Sequence, residues 1–176
     1  MFKKLNLFSK TEMKALEFIS SKDGEMYEKQ IASGAHVSTG SANRILKEFA
    51  RMNIIKLLKK GNMSFYQRND GNTLLRQFKV FMTMNNLMPI IEKIRTYSAR
   101  IILFGSCATG RNGENSDIDI FILAKDKQAV RKIIAEYEKV QAIILDAPEY
   151  VQLQAKDTAL YSRINSGIEL YGGEDG

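Results

Sequence analysis

One cysteine and one histidine are the only thiol and imidazole that this 176-residue chain offers as metal ligands. Cys107 alone cannot close an internal disulfide, and Cys107 with His36 cannot build a multi-His or Cys/His zinc site. Tryptophan is absent and there are only 2 prolines; with no low-complexity tract either, little room is left for a flexible linker. No run of about 18 apolar residues occurs, which excludes a membrane-spanning helix. The opening MFKKLNLFSK lacks both a long apolar core and a small-residue cleavage site. No secretory leader is therefore expected, and the cytoplasm is the default location.

What is present fits a globular chain, with 44% hydrophobic and 26% charged residues, and length permits one large domain or two small ones. The charge is unevenly spread. Residues 1–98 carry 17 Lys and Arg against 8 Asp and Glu, whereas residues 99–176 carry 9 against 12. A basic half joined to an acidic half points to two tasks, one of them near a polyanion.

In the basic half, Ser9-Lys10-Thr11-Glu12 fits a capping box, and Met13, Leu16 and Ile19 follow at helical spacing. This predicts a helix over 10–21, ended by Asp23-Gly24. A short helix is expected over 27–33 with Gly34 as its C-cap. After His36, a turn or cap residue, Ser38 or Thr39 can cap a third helix that buries Ala42, Ile45, Leu46 and Phe49. Residues 54–58 and 63–67 are β-prone around the turn Lys59-Lys60-Gly61-Asn62, which reads as a hairpin with a basic tip.

This order of elements, over about residues 8–69, resembles the winged helix-turn-helix domain of many prokaryotic transcription regulators. The resemblance implies that the third helix enters the DNA major groove and the wing touches the backbone. Ser38, Thr39, Ser41, Asn43, Arg44 and Lys47 would then face DNA, with Lys59, Lys60 and Asn62 at the wing. Domains of this kind often act as dimers, so a homodimer is among the expectations. Downstream, Leu74, Leu75, Phe78 and Met82 form a helical stripe. Asn85-Asn86 is expected to interrupt it, with a new helix beginning at Pro89.

The acidic half holds the chemistry. Residues 100–104 form a short apolar run ending at Gly105-Ser106, and Asp117-Ile118-Asp119-Ile120-Phe121-Ile122-Leu123 restarts a strand. Acids at i and i+2 of a strand share a face, about 6.6 Å apart along it. Two such carboxylates repel each other without a cation, and their hard oxygens suit Mg²⁺, which shares its shell with waters and substrate phosphates. Gly105 lets the backbone approach a phosphate, and the Ser106 hydroxyl and amide can donate to it. A phosphate cradle opposite a metal-binding acid pair suits phosphoryl or nucleotidyl transfer.

Gly105-Ser106, ten intervening residues and Asp117-Ile118-Asp119 resemble the G-S-x10-D-x-D signature of the DNA polymerase beta-like nucleotidyltransferase superfamily. Residues 102–123 most resemble its minimal branch. The resemblance, covering about residues 87–172, implies Mg²⁺-dependent transfer of a nucleoside monophosphate from an NTP to an acceptor hydroxyl; the sequence leaves open whether that hydroxyl belongs to a protein, a nucleic-acid end or a small antibiotic-like alcohol. Asp117 and Asp119 would hold the metals, and Gly105 and Ser106 the triphosphate. A third acid is expected from the next core strand, residues 140–145, where Gln141 stands instead. Asp146 has the opposite parity and is a poor substitute, Glu149 reads as a helix-start residue, and Cys107 reads as a small buried filler. Arg111 and Lys125 are further candidates to approach the triphosphate.

The expected fold is α+β: a winged helix-turn-helix over 1–70, a helical linker over 71–86, and a nucleotidyltransferase domain with a small mixed sheet over 87–176. The alternative function is a DNA-binding regulator whose second domain is a degenerate nucleotide sensor. A protein-interaction module that binds neither ligand is a third option.

Overall fold

The computed structural model describes residues 8–172, which form two compact units divided between Arg76 and Gln77. The opening segment and the four residues after Gly172, expected to be a loose tail, lie outside the described residues.

In the first unit, α1 (Lys10–Ser21) starts at the expected capping box: the Glu12 amide donates to Ser9 Oγ, and the Ser9 amide donates to Glu12. Then come β1 (Met26–Tyr27), α2 (Glu28–Gly34) and α3 (Thr39–Arg51). Ser38 caps α3, and the buried residues of that helix are Ala42, Ile45, Leu46 and Phe49. The hairpin is β2 (Ile55–Lys60) with β3 (Met63–Arg68), and β1 adds to the other edge of β3.

Three expectations need correction here. Gly34 does not adopt a left-handed cap; a Cβ there would lie 2.1 Å from the Phe18 ring, so glycine is required by packing, and His36 takes the positive φ of 54° instead. Lys59 and Lys60 are not turn residues but strand residues opposite Ser64 and Met63, leaving Gly61-Asn62 as the turn. Tyr27 belongs to β1, paired with Phe65, rather than to the helix. A two-residue strand has no periodicity of its own and exists because β3 offers it a partner.

Arg68 closes this unit. Its side chain is 6% exposed and pairs with Asp23 and Asp70. It also donates to the carbonyls of Ser20 and Lys22, each at 3.1 Å, so the end of α1 is tied to β3.

Helix α4 (Thr73–Ile94) is continuous and contains Pro89, which overturns the expected break at Asn85-Asn86. An internal proline costs about 3 kcal/mol. Beyond Asn86, however, Leu87, Ile90, Ile91 and Ile94 are all buried, and each such burial contributes about 1.5–3 kcal/mol. Continuing the helix wins.

The second unit is built on a mixed sheet in the order β6-β5-β4-β7, with β4 (Ser98–Leu103), β5 (Ile118–Ala124), β6 (Val140–Leu145) and β7 (Ile168–Gly172). Only β5 and β6 run parallel, joined through α6 (Lys127–Ile134). Between β4 and β5 lies the one-turn α5 (Gly105–Thr109), and after β6 come α7 (Ala147–Lys156) and α8 (Thr158–Asn165). Alternation divides the sheet. Ile101, Leu103, Ile120 and Ile122 pack with Leu87, Ile91, Val130 and Ile134 on one face. Ile102, Phe104 and Phe121 pack with Ile164 of α8 on the other.

Replacing Arg68 with Ala should lower the stability of the first unit by about 3 kcal/mol, because two carbonyls and two carboxylates lose their shared donor. Urea unfolding followed by circular dichroism measures it; a loss below about 0.5 kcal/mol would mean that water replaces the guanidinium without penalty.

Candidate active site

Strand β4 delivers the chain to a sharp turn beside β5. The Phe104 amide donates to the Asp119 carbonyl at 3.0 Å, and the chain then bends at Gly105, whose φ is +71°. A Cβ on Gly105 would lie 2.3 Å from Asp119 Oδ2. Glycine is therefore required twice, by a backbone region that L side chains rarely adopt and by the carboxylate resting against it. Ser106 follows, half-buried, in α5, which Gly110 closes at φ +67°.

Cys107 is buried beneath this turn and donates to the Asp117 carbonyl at 3.4 Å, tying α5 to the start of β5. Burial holds its thiol above the ordinary range, which suits a filler and not a nucleophile. The connecting loop is pinned as well. The Gly113 amide donates to Ser116 Oγ at 2.7 Å, and buried Lys79 donates to the Asn112 carbonyl at 2.5 Å.

Asp117 is exposed at the mouth of β5, and Asp119 is half-buried two residues on, on the same sheet face. Neither carboxylate has a hydrogen-bond or ion-pair partner among the described residues. Two unpaired hard-oxygen ligands on one face, open to solvent on one side, fit Mg²⁺ that keeps part of its water shell. In the parallel ladder Asp119 stands directly opposite Gln141, which is exposed. An amide thus occupies the neighbouring position on the same face. Among the described residues no group of three or more His, Cys, Asp or Glu could hold a metal.

Asp146 is spent elsewhere. It caps α7, accepting from the Glu149 amide at 3.0 Å, and Lys127 bonds to both acids. The Glu149 amide holds Asp146 below the usual carboxylate range, and Lys127 does the same for Glu149. Lys125 follows the far end of β5, six residues beyond Asp119. That is about 20 Å of strand, so Lys125 is removed from the phosphate candidates. Arg111 stays on the loop, exposed.

The other residues singled out in the sequence lie on α3 and the hairpin. The Ser41 amide donates to Ser38 Oγ, and Asn43 donates to Glu28 at 2.8 Å, so both side chains are engaged within the unit. Thr39 and Lys47 are exposed. Arg44 is 68% exposed beside Glu12 at 3.5 Å. Lys59 donates to Ser64 Oγ, while Lys60 pairs with Glu25 at 2.7 Å and lies over the Phe65 ring. Asn62 is exposed at the tip.

A family model described as polymerase beta, nucleotidyltransferase matches residues 85–175. No curated protein matches the chain. Among solved structures, human N-acetylserotonin methyltransferase in complex with SAM superposes at 12% identity and a TM-score of 0.31. That superposition takes in 87% of this chain and 58% of the other, and at such a score it carries no argument. No helix among the described residues is long and apolar enough to cross a membrane.

Replacing Gly105 with Ala should destabilise the second unit by about 2–4 kcal/mol, combining left-handed strain with overlap on Asp119. In an Asp119→Ala background the same change should cost about 1 kcal/mol less. A double-mutant cycle by thermal unfolding reads the difference, and equal costs in the two backgrounds would contradict the contact.

Proposed function

The chain belongs to the polymerase beta nucleotidyltransferase family, and from that premise we propose that it transfers a nucleoside monophosphate from a Mg²⁺-bound NTP to an acceptor hydroxyl. The observation that carries this reading is the Asp119 carboxylate lying against Gly105. An acid pair without a protein cation among the described residues and the glycine-serine turn meet at one point. Mg²⁺ bound by Asp117 and Asp119 would offset triphosphate charge and polarise the α-phosphate.

The chain's own residues do the rest. Ser106 donates to phosphate oxygens, and Gly105, lacking a Cβ, lets the Asp119 carboxylate sit against the turn that carries this hydroxyl. In the transfer, the acceptor oxygen bonds to the α-phosphorus while the α–β bridging bond breaks. Pyrophosphate leaves with that electron pair, and the acceptor proton passes to solvent. Gln141 cannot take this proton as a carboxylate would, so turnover is slow relative to nucleotide binding.

The first unit, in this proposal, is a winged helix-turn-helix that brings the site to DNA. Arg44, Lys47 and Arg51 recur along α3 at i, i+3 and i+7 and are all exposed, with Lys59 and Lys60 on the neighbouring hairpin. The exposed pair of Arg44 with Glu12 is worth little, so exchanging that carboxylate for a phosphate is inexpensive. The presence of Gln141 also favours a second reading: a DNA-binding regulator whose site binds nucleotide without turning it over.

Incubation with each labelled NTP and Mg²⁺ should give label transfer that the Asp117→Asn/Asp119→Asn variant abolishes; unchanged transfer would dismiss the catalytic assignment. Gln141→Asp should raise turnover at least tenfold, since a positioned base contributes about 10²–10⁴. Nucleotide binding without transfer in both wild type and Gln141→Asp would select the sensor reading. Affinity for duplex DNA should fall linearly with log salt, and Arg44→Ala/Lys47→Ala should make that slope shallower by about 2; salt-insensitive binding would remove DNA as the partner.

A further inference from the structure

The sheet face that bears Asp119 carries a cation that the motif does not include. Helix α8 packs on this face through Ile164, fully buried with Ile102, Phe104 and Phe121. The turn after α8 is pressed against β4: a Cβ on Gly167 would lie 2.4 Å from the Leu103 carbonyl oxygen. This contact fixes the end of α8 beside the residues that lead into Gly105.

One position before Ile164, Arg163 holds its guanidinium over the Phe104 ring, 5.8 Å from the centroid. Phe104 is 3% exposed, and its backbone joins Asp119 on one side and Gly105 on the other. Arg163 thus stands above the junction of the phosphate turn and the acid strand. Its side chain is exposed and has no hydrogen-bond or ion-pair partner among the described residues. Arg100, Lys127 and Arg95 of this unit are committed, to Glu169, Glu149 and Glu92. A guanidinium parked on an aromatic face is held in place while its N–H donors stay free for a ligand.

The charges show what is missing. A triphosphate brings about four negative charges and the two aspartates two more, against two on one Mg²⁺. A planar cation that can bind phosphate oxygens in pairs is the natural complement. We propose that Arg163 is a binding residue for the β- and γ-phosphates of the nucleotide held at Asp117 and Asp119. This rests on the nucleotidyltransferase reading. The interaction grows with phosphate number, so it selects triphosphates over monophosphates. Its rival is a purely structural role in which the arginine stem shields the Phe104 ring.

The test uses the full chain with Mg²⁺, titrated calorimetrically with ATP, GTP, CTP and UTP and with the corresponding monophosphates. Arg163→Gln should weaken binding of the preferred triphosphate at least tenfold and of its monophosphate less than twofold, with an unchanged melting temperature. Arg163→Lys, which keeps the charge but loses the fork, should restore part of the triphosphate affinity and guards against misfolding of the glutamine variant. Equal weakening for both ligands, or none, in a chain whose wild type binds triphosphate would overturn the role of Arg163 and leave the nucleotidyltransferase reading intact. Wild type that binds no nucleotide would overturn both.

Discussion

The Asp119 carboxylate rests against the bare Cα of Gly105, and the candidate site exists because the fold sustains that contact. It is unfavourable on two counts: a left-handed backbone and a negative charge with no ion-pair partner among the described residues. The surroundings over-determine it. The β4–β5 ladder sets the register, the Phe104 amide bonds to the Asp119 carbonyl, and Cys107 ties α5 to Asp117 from below. Local strain held in this way collects where a ligand is to be received. The apolar cores on the two sheet faces supply the stability that offsets it.

The two faces also divide the labour. One is covered by α4 and α6 and is wholly core. The other is core only towards α7 and α8, and at the start of β5 it gives way to Asp117, Asp119 and Gln141. A parallel β5–β6 pair, with its crossover helix on the covered face, leaves that end of the sheet open. The charge asymmetry of the chain follows a similar logic. Asp117 and Asp119 have no ion-pair partner among the described residues, and the basic first unit neutralises only some of its cations internally, Arg68 completely and Arg44 or Lys60 through exposed pairs that exchange readily.

Much of this was legible beforehand, for identifiable reasons. The capping box at Ser9, the apolar stripe of α3 and the runs that became β4, β5 and β6 are local signals, and local physics carried them into the fold. The glycine-serine turn and the two aspartates were readable because their spacing is set by one strand–turn–strand unit. The errors share a different cause. Pro89 and Asn85-Asn86 looked like a break because the stripe continuing to Ile94 counted for less than the local breakers. Gly34 looked like a cap because Phe18, sixteen residues away, was invisible. Lys125 read as a phosphate candidate because sequence distance hid the length of a strand. Arg163 was missed because only the docking of α8 brings it over Phe104.

By itself, then, the order of amino acids determined the elements, the acid pair with its glycine-serine turn, and the amide of Gln141 on the next strand, since each depends on neighbours a few residues apart. Tertiary structure alone decided that Asp119 touches Gly105, that Gln141 stands beside Asp119 in a parallel ladder, and that Arg163 lies over the Phe104 ring. These are contacts between segments distant in the chain, and they come into being only when strands pair and helices bury their apolar faces together.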